Sequence, residues 1–253
     1  MLRVQLLCLP YSGGSANLYL AWKKKLPPWI EVCPVELPGH GARIGSELET
    51  SMSRLVRRVA GDVLPSLRRP FALFGHSMGA VLAFELAHAV RTFRHGEEPL
   101  LLFASGTSAP SRRNDARYAR IQSDADLLAE LRSLRGTPEE VLGAPELMAL
   151  ILPVLRADLQ ICGNYRYVSR PRLRCPIQVL VGESDDTSLP GSVEAWREHT
   201  SGECSVERFP GGHFFIHSEE AAVLRLIERR LAELVLEHEP AGRRPSATKQ
   251  GGF

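Results

Sequence analysis

At 253 residues the chain is long enough to bury a sizeable core as a single doubly wound α/β unit. Hydrophobic residues make up 44% and charged residues 24%, the balance of an ordinary soluble globular protein and not of a disordered or fibrous one. A formal charge of +2, with no basic run interleaved with aromatics, argues against nucleic acid as a partner, and no stretch approaches the roughly 18 uninterrupted apolar residues of a membrane helix.

The first strand is expected at residues 4–9. Pro10 and the Gly13-Gly14 pair follow it before any small-residue cleavage site, so it reads as a strand and not as a leader. Further short apolar runs of strand character lie at 30–35, 71–74, 100–103, 177–181 and 206–209. Between them, segments 16–25, 52–67, 80–91, 193–199 and 219–237 carry apolar residues at three- and four-residue spacing and are expected to be helical. Repeated βα units imply a mostly parallel sheet covered on both faces.

One stretch breaks the rhythm. Residues 110–174 contain no convincing strand, only helical patterns at 124–134 and 146–163, which fits an inserted helical lid better than a long loop. Within it Thr137-Pro138-Glu139-Glu140 has the form of a capping box, so a short helix is expected to start there. Pro153 removes a backbone donor and predicts a kink in the helix that follows. Residues 239–253 are polar and without periodicity, so a disordered tail is expected after a catalytic domain spanning 1–238.

The five cysteines (Cys8, Cys33, Cys162, Cys175, Cys204) are odd in number and lack C-x-x-C spacing, which argues against a zinc or dithiol site. Reduced thiols in a cytoplasmic monomer are the expectation. A cysteine nucleophile stays open, although several of these residues lie in apolar runs where cysteine behaves as a small core residue.

Gly75-His76-Ser77-Met78-Gly79 stands between an apolar strand and an apolar-periodic helix, the setting that a nucleophile elbow requires. Ser77 is the expected nucleophile; the alternative is a glycine turn with a solvated serine. A neutral hydroxyl needs a base, and His213, on a Gly-Gly loop before the last helix, is the expected one. His76 adjoins the nucleophile on a tight turn and is read as structural. His217, four residues after His213, lacks an evident third ligand, so neither metal nor cofactor is expected. The acid that orients the base should follow a strand end. Asp185 is preferred, with Asp186 next, as the cap of the following turn, and Glu183 third. An oxyanion hole needs two backbone donors: Met78 N–H after the nucleophile, and Ser12 N–H from the Pro10-Tyr11-Ser12-Gly13-Gly14 loop.

Five blocks, Leu9-Pro-Tyr-Ser-Gly-Gly-Ser15, Glu36-Leu-Pro-Gly-His-Gly41, Phe74-Gly-His-Ser-Met-Gly-Ala80, Ser105-Gly-Thr-Ser-Ala-Pro110 and Gly211-Gly-His-Phe-Phe215, run from the first strand to the last helix. Together they resemble the type II thioesterases that accompany polyketide synthases and nonribosomal peptide synthetases. Tyr11 and Ser12 depart from the residues usual in that family without affecting a backbone donor, and His40, Thr107 and Ser108 depart in ways that bear on the entrance and leave Ser77, Asp185 and His213 in place. The resemblance implies an α/β-hydrolase fold and hydrolysis of acyl groups from the phosphopantetheine thiol of an acyl or peptidyl carrier protein, through an acyl-serine. A small-molecule esterase or lipase, or a silent binding protein of the same fold, is the alternative. Leu127, Leu128, Leu131, Met148 and Leu152 of the lid either line an acyl channel or pack among themselves. Arg112, Arg113, Arg117 and Arg120 either dock an acidic carrier domain or form a solvated face.

Overall fold

The structure, a computed structural model, describes residues 2–115, 117–118, 121, 123–134, 136–137, 139–188 and 191–238. The expected tail, Arg120 and Pro138 lie outside them. Six strands form one sheet: β1 (Val4–Leu9), β2 (Ile30–Pro34), β3 (Phe71–His76), β4 (Leu102–Ser105), β5 (Ile177–Gly182) and β6 (Cys204–Phe209). Their spatial order is β2-β1-β3-β4-β5-β6, and every pairing is parallel.

Strand alternation divides the core into two layers. Val4, Leu6 and Cys8 of β1 and Phe74 of β3 face Tyr19, Trp22, Val223 and Ile227, on the side covered by α1 (Trp22–Lys25) and, later in the chain, the last helix. Leu7 and Leu9 face the other way, onto α2 (Met52–Val63) and α3 (Met78–Phe93). In α2 the buried residues are Met52, Leu55, Val56, Val59 and Ala60, the three- and four-residue spacing of one helix face. In α3 burial runs almost all round, because that helix lies between the sheet and α2.

Several boundaries differ from expectation for local reasons. The helix expected at 16–25 splits into a 3-10 turn at Ala16–Tyr19 and α1. The one expected at 52–67 gives way at Val63 to a 3-10 turn carrying Pro65. The segment expected as a helix at 193–199 is 3-10 over Glu194–His199. Strand β3 continues through Gly75 and His76, residues of turn type, because they pair with Ala104 and Ser105 of β4.

Between β4 and β5 lie α4 (Asp124–Leu134), α5 (Glu139–Leu142) and α6 (Pro145–Asn164). Pro145 occupies the first turn of α6, where its missing N–H costs nothing. The helix then runs on through Pro153. Leu127, Leu142, Met148, Leu152, Leu155 and Leu159 bury one another in a small cluster of their own. The chain closes with α7 (Phe215–Ser218) and α8 (Glu220–His238).

Candidate active site

Ser77 sits at the C-terminal end of the third strand with φ 54° and ψ −117°, left-handed backbone that a non-glycine residue adopts only when its surroundings enforce it. The enforcement is visible. Ser77 N–H donates to the Ser105 carbonyl at 2.8 Å, tying the turn to the neighbouring strand. A Cβ at Gly75 would strike the Gly79 carbonyl, and one at Gly79 would strike the Leu9 and Pro10 carbonyls. Both glycines are therefore dictated by close backbone approach, and the side chain between them is lifted off the sheet.

The loops after the fifth and sixth strands bring acid and histidine together. Ladder-like bonds continue past the strand ends, Glu183 N–H to Phe209 O at 2.8 Å and Ser184 N–H to Gly211 O at 2.9 Å. Gly182 lies so close to Gly212 that a Cβ there would collide with its carbonyl. In consequence His213 Nδ1 meets Asp185 Oδ2 at 3.0 Å, with the two side chains only 8% and 0% exposed. The other carboxylate oxygen accepts from the Thr187 hydroxyl at 2.6 Å and the Thr187 N–H at 3.0 Å, and Ser188 Oγ donates to Oδ2 at 3.1 Å. Burial works against the charge on Asp185, but the bonds from His213 and Thr187 outweigh it and hold the carboxyl well below the usual carboxylate range. The cap of this turn is thus Asp185 and not Asp186, which is exposed. Glu183 is exposed as well.

Thr187 and Ser188 were not singled out from the sequence. The signal was present in hydroxyls two and three residues after an aspartate, the pattern of an Asx turn. With Nδ1–H committed to a carboxylate, His213 is left with Nε2 as its basic nitrogen.

His76 is fully buried, its Nδ1 2.9 Å from Ser105 Oγ and its ring 5.1 Å from that of His213. Burial drives its pKa well below the ordinary histidine value, so it stays a neutral floor beneath His213. Tyr11, whose pKa burial pushes up to about 12, keeps its proton and lies 3.1 Å from His217 Nε2.

Two cavities meet at Ser77 and His213. One, of about 260 Å³, is apolar toward the cap, lined there by Leu131, Leu134, Met148, Ile151, Leu155 and Leu159. Of the cap residues named from the sequence, Leu131 and Met148 reach this lining, whereas Leu127 and Leu152 belong to the cap's own cluster and Leu128 packs against it. The second cavity, of about 180 Å³, is polar, with Thr107, Ser108, Arg112, Arg113, Arg117 and Asp186 among its walls. Its arginines are not free charges. Arg112 pairs with Glu198 at 2.8 Å, Arg113 with Asp115 at 2.5 Å and with the Thr107 hydroxyl, and Arg117 with Glu130 at 3.2 Å.

In the loop after β1, the Gly13 N–H donates to Asp158 Oδ2 at 2.7 Å and the Gly14 N–H to Tyr11 O at 2.9 Å. Ser12 lines the apolar cavity beside Ser77, and Met78 opens the third helix at its N-terminal, electropositive end.

A family model described as a thioesterase domain matches residues 4–231. The chain belongs to the thioesterase family. This thioesterase is 40% identical over 94% of its length, and 92% of the relative's, to the linear gramicidin dehydrogenase LgrE of Brevibacillus parabrevis. It is 39% identical over 90% of its length, and 89% of the relative's, to the gramicidin S biosynthesis protein GrsT of Aneurinibacillus migulanus. Among solved structures, the type II thioesterase BorB from the borrelidin biosynthetic cluster superposes with a TM-score of 0.84 at 38% identity, covering 90% of this chain and 93% of that one. The first relative's name carries another reaction, but after β1 the thioesterase reads Pro10-Tyr11-Ser12-Gly13-Gly14-Ser15 and not the Gly-x-Gly-x-x-Gly of a dinucleotide site. Its fold is that of the α/β-hydrolases, and it is a hydrolase of thioesters. Among the described residues no helix is long and apolar enough to cross a membrane.

Proposed function

We propose that the enzyme releases acyl groups from the phosphopantetheine thiol of an acyl or peptidyl carrier protein in polyketide or nonribosomal peptide biosynthesis. Residues 1–238 act as one catalytic unit in this reading, with 110–174 as its lid. The names of the gramicidin S and borrelidin relatives support the setting. The observation that carries the chemistry is the 3.0 Å contact of His213 Nδ1 with the buried Asp185, at a cavity shared with Ser77.

Ser77 Oγ attacks the thioester carbonyl while His213 Nε2 takes its proton, and Asp185 stabilises the imidazolium that forms. The N–H groups of Met78 and Ser12 receive the oxyanion. Ser12 is favoured within its loop because the Gly13 and Gly14 amides are already engaged. As the C–S bond breaks, the imidazolium returns the proton to the leaving sulfur. Water, activated by the same Nε2, then cleaves the acyl-serine to the free acid. The apolar cavity receives the acyl chain and the polar one the thiol side of the substrate. No metal or cofactor enters any step.

Mass spectrometry of the enzyme mixed with a loaded carrier protein, acyl-CoA and a nitrophenyl ester in parallel tests this. Fastest release from the carrier, with a transient acyl adduct on Ser77, is expected. Equal rates on the nitrophenyl ester would indicate a small-molecule esterase, and the absence of any adduct or turnover a silent binding protein.

A further inference from the structure

The loop after β1 is anchored from the cap by a buried pair that the mechanism above does not use. Asp158, on the sixth helix, is 1% exposed, and His40, on the loop after β2, is 4% exposed. One oxygen of Asp158, Oδ2, accepts from Gly13 N–H at 2.7 Å and from His40 Nε2 at 2.9 Å. His40 Nδ1 donates in turn to the Pro38 carbonyl at 2.9 Å.

The proton count follows from these partners. A carbonyl oxygen can only accept, so Nδ1 carries a proton, and the 2.9 Å bond between Nε2 and Oδ2 holds a second. With one proton in that bond the pair as a whole carries no net charge. Burial works to lower the His40 pKa, but the bond and charge of Asp158 outweigh that and raise it.

Gly13 has φ 74° and is followed by a second glycine, so the loop has little stiffness of its own. Its neighbour Ser12 is the residue asked to aim an amide at the oxyanion. A bare carboxylate one residue away would also oppose the negative charge developing there, and His40 cancels that charge.

We propose that Asp158 is a positioning residue for the oxyanion hole, fixing the Ser12 amide through Gly13, and that His40 both orients and neutralises it. This rests on the assignment of Ser77 and Ser12 above. Leu155 and Leu159 of the same helix line the acyl cavity, so one helix both contacts the acyl chain and sets the donor.

Steady-state hydrolysis of a hexanoyl thioester of N-acetylcysteamine tests the proposal, with thermal midpoints measured alongside. Asp158→Ala is expected to lower kcat by about 10- to 100-fold, part of the cost of losing one oxyanion donor, with KM near wild type. Asp158→Asn keeps an acceptor oxygen and should restore most of kcat. His40→Gln keeps a donor but leaves the carboxylate uncompensated, so kcat should fall, and adding Asp158→Asn to it should raise kcat again. A merely structural pair would lower the midpoint or raise KM without this pattern. Wild-type kcat in folded Asp158→Ala or in His40→Gln overturns the proposal, as does failure of Asn to rescue; if Asp158→Ala does not fold, the His40→Gln and double-variant arms decide. Ser77→Ala is run in parallel: retained turnover there would refute the proposed nucleophile, a failure distinct from that of Asp158.

Discussion

Asp185 uses both of its oxygens in opposite directions: Oδ2 meets His213 Nδ1 at 3.0 Å, and Oδ1 is fixed by the hydroxyl and N–H of Thr187 at 2.6 and 3.0 Å. The carboxylate is thereby aimed before any substrate arrives. Asp185→Asn should leave the fold intact but present the wrong partner to the imidazole, lowering kcat by about ten-thousandfold. Asp186→Asn, at an exposed position beside it, should leave kcat close to wild type. Parallel steady-state kinetics of the two variants check the assignment.

Gly79, two residues after Ser77, is fixed by the carbonyls of Leu9 and Pro10. Gly79→Ala forces backbone against backbone, with no flexible side chain to yield, and should cost about 3 kcal/mol. In a chain of this size that lowers Tm by about 6 °C, measurable by calorimetry.

Met148 lines the apolar cavity from the cap. Met148→Trp should fill its far end. Turnover of a long acyl thioester is expected to fall by about tenfold relative to an acetyl thioester, a discrimination on the scale of a few methylenes in an apolar pocket. Competition between the two substrates in one vessel reads the ratio directly.

His199 is buried against Phe84, Tyr167 and Trp196, with Nε2 2.9 Å from Ser111 Oγ and Nδ1 unpartnered among the described residues. Burial lowers its pKa to about 4, with Arg112, Arg172 and Arg170 adding to the shift against Glu198. The folded value lies below that of the unfolded chain, about 6.5, so its contribution is complete above that pH and is lost as pH falls toward 4, by about 3 kcal/mol. His199→Gln, which cannot take up the proton, should flatten the fall of Tm between these limits. Melting curves of both proteins across that range test it.

The order of strands and helices was legible because apolar spacing reports burial directly: the apolar run of Val4–Leu9 matches a strand buried on both faces, and the three- and four-residue rhythm of Met52–Val63 matches one buried helix face. The tight turn at Ser77 was legible too, through Gly75 and Gly79, which close backbone approach dictates, whereas Gly211 before His213 answers to a positive φ of 101°. What the sequence hid were contacts between segments far apart in the chain. Asp158 looks like one more polar residue on an amphipathic helix until folding brings it to Gly13, 145 positions away. Arg112 and Arg117 read as part of a basic cluster because their acidic partners, Glu198 and Glu130, arrive from other elements.

The spatial order of the strands has one more outcome. Ser77 grows from β3, deep within the sheet, whereas His213 follows β6, which closes one margin and is buried fully only at Phe209. Margins of a sheet open more readily than its middle. If the proposed roles hold, the attacking group and the group that activates it thus rest on ground of unequal firmness, and a brief fraying of the outer strand would silence the enzyme while its centre stayed folded.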